Sequence, residues 1–130
     1  MTDASRILLV LFVLAALAVV GCGAPGPADT VAHFYRHVEA GEVDAAADLF
    51  SEQITALITR EKLKTALAEQ TREMKDKGGI ASIEILSEEI TGEVADVRIR
   101  VEYGNGETEE QDIHLTEIDG AWKLAPEMDK

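Results

Sequence analysis

Three sets of residues in this chain of 130 have types and spacings that could do chemistry. Asp29, His33 and His37 stand at i, i+4 and i+8, which brings a carboxylate and two imidazoles onto one helical stripe, and a pair of histidines four apart can share a metal ion. That stripe lies nearly opposite the apolar one formed by Val31, Phe34, Tyr35 and Val38, so we read these histidines as solvated and assign no metal site. The third histidine, His114, falls opposite Asp96 in the strand register that parity requires, a combination that assembles no nucleophile. Tyr103, Glu109 and Gln111 are the polar residues expected on the inward face of a sheet that is otherwise aliphatic there. With Trp122, whose indole could stack on a ligand, they are the candidates for the mouth of a cavity. No Ser-His-Asp or Cys-His set is credible, and no nucleotide motif occurs. No catalytic residue and no cofactor is therefore assigned.

The one cysteine, Cys22, has a different context. It follows Leu17-Ala18-Val19-Val20-Gly21, the end of a segment with a short n-region carrying Arg6 and an apolar h-region from Ile7 to Val20. About 14 apolar residues are short for the bilayer core, which takes roughly 20. The segment resembles a bacterial lipoprotein signal ending in a lipobox. The resemblance implies a signal peptide over residues 1–21, cut before Cys22, with a diacylglycerol on the Cys22 thiol and acylation of the new amine. Residues 22–27 would be the lipidated cysteine and a short tether. The expected address is the cell envelope, membrane-anchored on the extracytoplasmic side. A single cysteine also forms no internal disulfide.

Residues 28–130, beyond the signal and tether, are the length of one domain with one core. The formal net charge of −13 survives removal of the signal, which takes away one acid, Asp3, and one base, Arg6. Such a surface disfavours nucleic acid and anionic headgroups, so acyl chains rather than protein surface would hold the chain to a membrane. The tether Gly23–Pro27 reaches at most ~3.5 Å per residue, which keeps the domain near the bilayer.

Helical periodicity runs to about Lys77, Gly78-Gly79 breaks it, and alternation continues from there to the end. The pattern predicts an α+β fold. The first helix spans about Ala28 to Ala40 and stops at Gly41. A second runs from about Val43 to about Glu52, with Ala46, Leu49 and Phe50 in the core. Ile54, Leu57 and Ile58 cross to a third, about Thr59 to Lys77, whose core positions are Leu63, Leu67 and Met74. Four strands complete the chain, the first from about Ile80 to Ile90.

Parity fixes the register. Val97, Ile99, Val101 and Tyr103 alternate with Asp96, Arg98, Arg100 and Glu102, while Ile113 and Leu115 are the apolar set of the next strand. Odd residues of both strands share a face only with an odd-length loop, so the turn is Gly104-Asn105-Gly106, with Gly106 in the left-handed position. This sets Arg98 opposite Asp112, Arg100 opposite Glu110 and Asp96 opposite His114, each pair contributing about 0.2–1 kcal/mol. The third and fourth strands have opposite parity, since Trp122 and Leu124 are even, and Asp119-Gly120 supplies the two-residue type I′ turn they need. The first strand brings Ile83 and Ile85 inward and joins the second near Thr91-Gly92-Glu93. The expectation is three N-terminal helices packed on a curved four-stranded antiparallel meander.

The stretches "PADTVAHFYRHVEAGEVDAAADLF", "GEVADVRIRVEYGNGE" and "DGAWKL" are similar to those of small bacterial lipoproteins with a nuclear-transport-factor-two-like (cystatin-like) domain. The resemblance implies a cone-shaped roll, a curved sheet around a long helix with a cavity at its open end, and it implies no activity. We expect a non-enzymatic, lipid-anchored envelope domain binding a protein or small ligand through the cone mouth or the hairpin tip, as a monomer. An isomerase-like cavity enzyme and a structural lipoprotein without a pocket are the alternatives.

Overall fold

Proline at the first helical position and glycine just past the last bracket the first helix. α1 runs Pro27–Glu39, with Pro27 where a missing N–H costs nothing. At its end Gly41 adopts φ 77°, the Gly41 amide donates to the Val38 carbonyl at 3.1 Å and the Glu42 amide to the His37 carbonyl at 2.9 Å. These are the paired bonds of a Schellman stop, for which a left-handed residue is required. The computed structural model describes residues 25–126. The signal segment and Cys22 lie outside the described residues.

Three more helices come next: α2 Val43–Ala47, α3 Glu52–Leu57 and α4 Arg60–Asp76. The second expected helix is thus shorter than its pattern suggests. It stops at Ala47, the chain turns through Asp48 and Leu49, and then Phe50 bridges to Leu124 and the Ser51 amide donates to the Leu124 carbonyl at 2.7 Å. Residues 52–57 coil again, so the expected crossing segment is itself helical. Ile54 packs against the core, whereas Leu57 is 73% exposed and Ile58 39%. α4 buries Leu63, Leu67 and Met74 as expected, together with Thr71, whose hydroxyl donates to the Val38 carbonyl at 2.6 Å and to the Leu67 carbonyl at 3.0 Å. The first of these bonds ties α4 to α1.

The strands β1 Ile80–Thr91, β2 Val94–Tyr103, β3 Thr108–Ile118 and β4 Ala121–Leu124 form one antiparallel sheet in the order β1-β2-β3-β4. The β2–β3 register is the one parity requires: Asp96 opposes His114, Arg98 opposes Asp112 and Arg100 opposes Glu110. Gly106 takes φ 88° in the three-residue turn. Asp119 and Gly120, at φ 52° and 80°, make the two-residue turn that sets Ile118 opposite Ala121. On the outer face Arg100 reaches Glu110 at 2.9 Å and Glu84 at 3.3 Å, and Arg98 reaches Asp112 at 3.7 Å.

β1 carries two irregularities that simple alternation misses, one between Ile80 and Ser82 and one between Ile85 and Ser87. Each inserts one residue and reverses parity beyond it. Past the second, Glu88 opposes Val97 on the concave side, and its Oε2 accepts the Ala28 amide at 2.9 Å. A carboxylate there satisfies a free amide at the start of α1 and meets the positive end of its dipole. Ile85 opposes Ile99 on the helix side as expected, yet it is 40% exposed, because β1 is an edge strand that the helices cover only in part. α1 lies across the concave face against β1, β2 and β4, with α2 and α4 behind it. Val31, Val38, Val97, Ile99, Val101 and Leu115 are the fully buried centre.

Candidate functional site

The end of α4 and the β2–β3 turn are joined through backbone. The Gly104 amide donates to the Gly79 carbonyl at 2.9 Å and the Asn105 amide to the Lys77 carbonyl at 2.8 Å. Gly78 and Gly79 have φ 87° and 76°, and Glu39 Oε2 accepts the Ile80 amide at 2.6 Å. This contact fixes the tip half of the sheet against the helices, and the polar cluster sits beside it.

Tyr103, Glu109 and Gln111 come together there. The Tyr103 hydroxyl donates to Glu109 Oε2 at 3.1 Å, and the Gln111 side-chain amide donates to Glu109 Oε1 at 2.6 Å. Tyr103 is buried, Glu109 half-buried and Gln111 exposed, a gradient from core to rim. They line a cavity of about 320 Å³ with Phe34 and Tyr35 of α1, Phe50 of the α2–α3 connection, Gln70 of α4, and Ile113 and Leu124 of the sheet. Phe34 packs edge-on against Tyr35 and Phe50, at centroid distances of 5.5 and 5.3 Å. β4 pairs with β3 only from Leu115 to Ile118, so the tip half of β3 is uncovered by it. Gln111, Asp112 and His114 from that half, with Ala125 just past β4, form the rim.

Trp122 does not reach this cavity. The two-residue turn places it opposite Glu117, near the far end of the sheet, where it is half-buried against the core. Phe34, Tyr35, Phe50 and Gln70 are lining residues that the sequence pattern leaves in the core or unassigned. Their signal is weak, since a cavity wall and a core stripe share one apolar period. Asp29 accepts the Gly26 amide at 3.3 Å, His37 lies 3.2 Å from Glu42, and His33 is exposed. Among the described residues no group of three or more His, Cys, Asp or Glu is placed to hold a metal ion. His114 pairs with Asp96 across the strands.

Both tyrosines are held in the neutral form. Burial, then the charge of Glu109 and that of the ionised Tyr103 phenol, push the Tyr35 phenol above the ordinary range. Burial, then the hydrogen bond to Glu109 and its charge, push Tyr103 up to about 12. The chain contains only these two tyrosines, so phenolate absorbance reports the site alone. Absorbance of the folded chain should stay flat through pH ~10, where tyrosines ionise in denaturant. The unfolded state loses these protons first. Stability should therefore be complete below pH ~10 and fall as pH rises toward about 12. A folded-state transition at the denatured position would contradict the cluster.

The architecture is an α+β fold of four helices on one four-stranded antiparallel sheet, and solved structures share it. Over 78% of this chain and 99% of its own, a Campylobacter jejuni protein provisionally named an NTF2-like transpeptidase has a similar structure, with TM-score 0.68 and 19% identity. A SEC-C motif containing protein from Rhodopseudomonas palustris is similar over 86% of this chain and 84% of its own, with TM-score 0.58 and 13% identity. At these identities the likeness is one of fold. Residues 20–125 match the family described as Domain of unknown function (DUF4878), and the chain belongs to it. No curated protein matches the sequence.

Proposed function

We propose that this protein is a lipid-anchored bacterial envelope domain that binds a small ligand, free or presented by a partner protein, in the cavity behind Glu109, without catalysing a reaction on it. The observation that carries the reading is the cavity of about 320 Å³, apolar at its floor and holding a few convergent polar groups at its rim. Binding sites are built that way, and a purely structural domain has no use for such a space.

The lipobox-like run before Cys22 supports the anchor. With α1 starting at Pro27, the anchored end is the one where Glu88 meets Ala28, and the Gly104–Gly106 turn lies at the other end of a helix about 20 Å long. The β2–β3 turn then points away from the membrane. A binding role is favoured over acyl transfer, which the name of the Campylobacter protein suggests for that protein. Among the described residues that line the cavity there is no Ser, Thr, Cys or Lys to act as nucleophile. An isomerase-like site needs a carboxylate base facing an oxyanion-stabilising acid in a dry pocket, and Glu109 instead lies near the open rim, accepting from Tyr103 and Gln111. The outer sheet face carries charged pairs such as Arg98–Asp112 and Arg100–Glu110, which supports a monomer.

Chemical-shift mapping of the full chain in detergent against a set of small aromatic and aliphatic fragments tests the reading. Hits should gather on Phe34, Tyr35, Tyr103 and Glu109. Hits that avoid these residues, or none at millimolar fragment, would refute it.

A further inference from the structure

Charge around the mouth is one-sided. Three carboxylates, Asp96, Glu109 and Asp112, line the cavity, and among the described residues no lysine or arginine does. Two of the three have cationic or imidazole partners: Asp96 faces His114, and Asp112 lies 3.7 Å from an Arg98 nitrogen. Glu109 differs, because its hydrogen-bond donors, Tyr103 and Gln111, are both neutral. The neighbouring Lys77 shares a smaller adjoining pocket with Tyr103 and Glu109, but its ammonium sits 4.8 Å from the centre of the Tyr103 ring and pairs with Glu107 at 3.6 Å rather than with Glu109. A half-buried carboxylate that makes no ion pair among the described residues therefore stands over an aromatic floor.

A second observation points the same way. Tyr35 is 7% exposed and lines the cavity, and among the described residues its hydroxyl makes no hydrogen bond. The ring is buried while the hydroxyl opens onto the cavity, so a group bound there can take up its free hydrogen-bonding capacity. The phenol oxygen can accept as well as donate, so an ammonium N–H suits it.

Resting on the proposed ligand-binding role, we infer that the ligand is an organic cation: an amine or ammonium head directed at Glu109 and the Tyr35 hydroxyl, with an apolar body against Phe34, Phe50 and Ile113. The aromatic rings add attraction for a cation that a neutral or anionic ligand of the same shape lacks. The net charge of −13 draws cations toward the mouth and repels anions.

Three probes of one shape and different charge separate the possibilities: benzylamine, benzyl alcohol and benzoate. Each is titrated into the full chain in detergent, with binding read by calorimetry and by the resonances of Tyr35, Tyr103 and Glu109. Benzylamine should bind about tenfold more tightly than benzyl alcohol, with benzoate weakest. Glu109→Gln, which keeps the shape and the hydrogen bonds of Tyr103 in reach, should bring benzylamine to parity with the alcohol. Glu84→Gln, on the outer face, should leave the tenfold preference intact and controls for loss of net charge. Alcohol or benzoate binding at these resonances as tightly as the amine would overturn the cation assignment while leaving the cavity a binding site. Absence of benzylamine binding would also overturn it, and fragment hits at the same residues would then show that the broader ligand-binding role survives.

Discussion

Gly104→Ala is expected to destabilise the domain by about 3 kcal/mol, the range for a change that forces backbone apart. A Cβ on Gly104 would lie 2.4 Å from the Gly78 carbonyl oxygen and 3.0 Å from its carbon. Neither atom can swing away, because Gly78 is held by its own left-handed conformation and Gly104 by the bond from its amide to Gly79. The substitution must part the end of α4 from the β2–β3 turn, which loosens the tip half of the sheet and with it Tyr103 and Glu109. Gly106→Asn is the control, since a Cβ there meets nothing within 4 Å and asparagine tolerates the left-handed region. It should cost less than about 1 kcal/mol. Denaturant midpoints of the two variants decide the matter, and equal losses would show that the backbone contact is unimportant.

Cys22→Ser is expected to abolish membrane association altogether. If the thiol carries the diacylglycerol, the hydroxyl cannot replace it, and the protein with its net charge of −13 has no electrostatic hold on an anionic surface. Acyl chains contribute about 0.8 kcal/mol per buried methylene, so losing them leaves nothing comparable. Labelling with an alkyne fatty acid should mark the wild-type protein and not the variant, and membrane fractions should contain only the former. Equal labelling, or a variant that stays in the membrane fraction, would sink the anchor.

Register was the most legible part of the fold. Val97, Ile99 and Val101 are odd, Ile113 and Leu115 are odd, and Trp122 and Leu124 are even; those parities, with the turn residues Gly104-Asn105-Gly106 and Asp119-Gly120, dictate both turn lengths and both pairings. The charged pairs on the outer face agree because one register satisfies both faces at once. β1 resisted the same logic, since bulges reverse parity and leave no mark in a run as mixed as Ile85-Leu86-Ser87-Glu88. Alternation alone therefore does not show that Glu88 reaches the start of α1, where it accepts the Ala28 amide. The break between Ala47 and Glu52 depends on Phe50 and Ser51 bridging to Leu124, a contact between residues more than 70 apart that no local pattern encodes.

At the site, alternation placed Tyr103, Glu109 and Gln111 on one face near the tip, and the structure brings them into one hydrogen-bonded cluster. Trp122 lies away from this cluster because facing inward does not fix at which end of the sheet a residue stands. Tyr35 and Phe34 carry the same helical period as Val31 and Val38. Only the packing tells which of the four meet the sheet and which border a space.

A ligand held in the cavity behind Glu109, in the protein's own membrane, is the central claim. Native mass spectrometry of the full-length protein, released from its native membranes in mild detergent, tests it directly. The wild-type mass should exceed polypeptide plus acyl groups by one small ligand, and Glu109→Gln should lose that increment with the fold intact. Wild type and variant that both weigh the polypeptide plus acyl groups alone would contradict it.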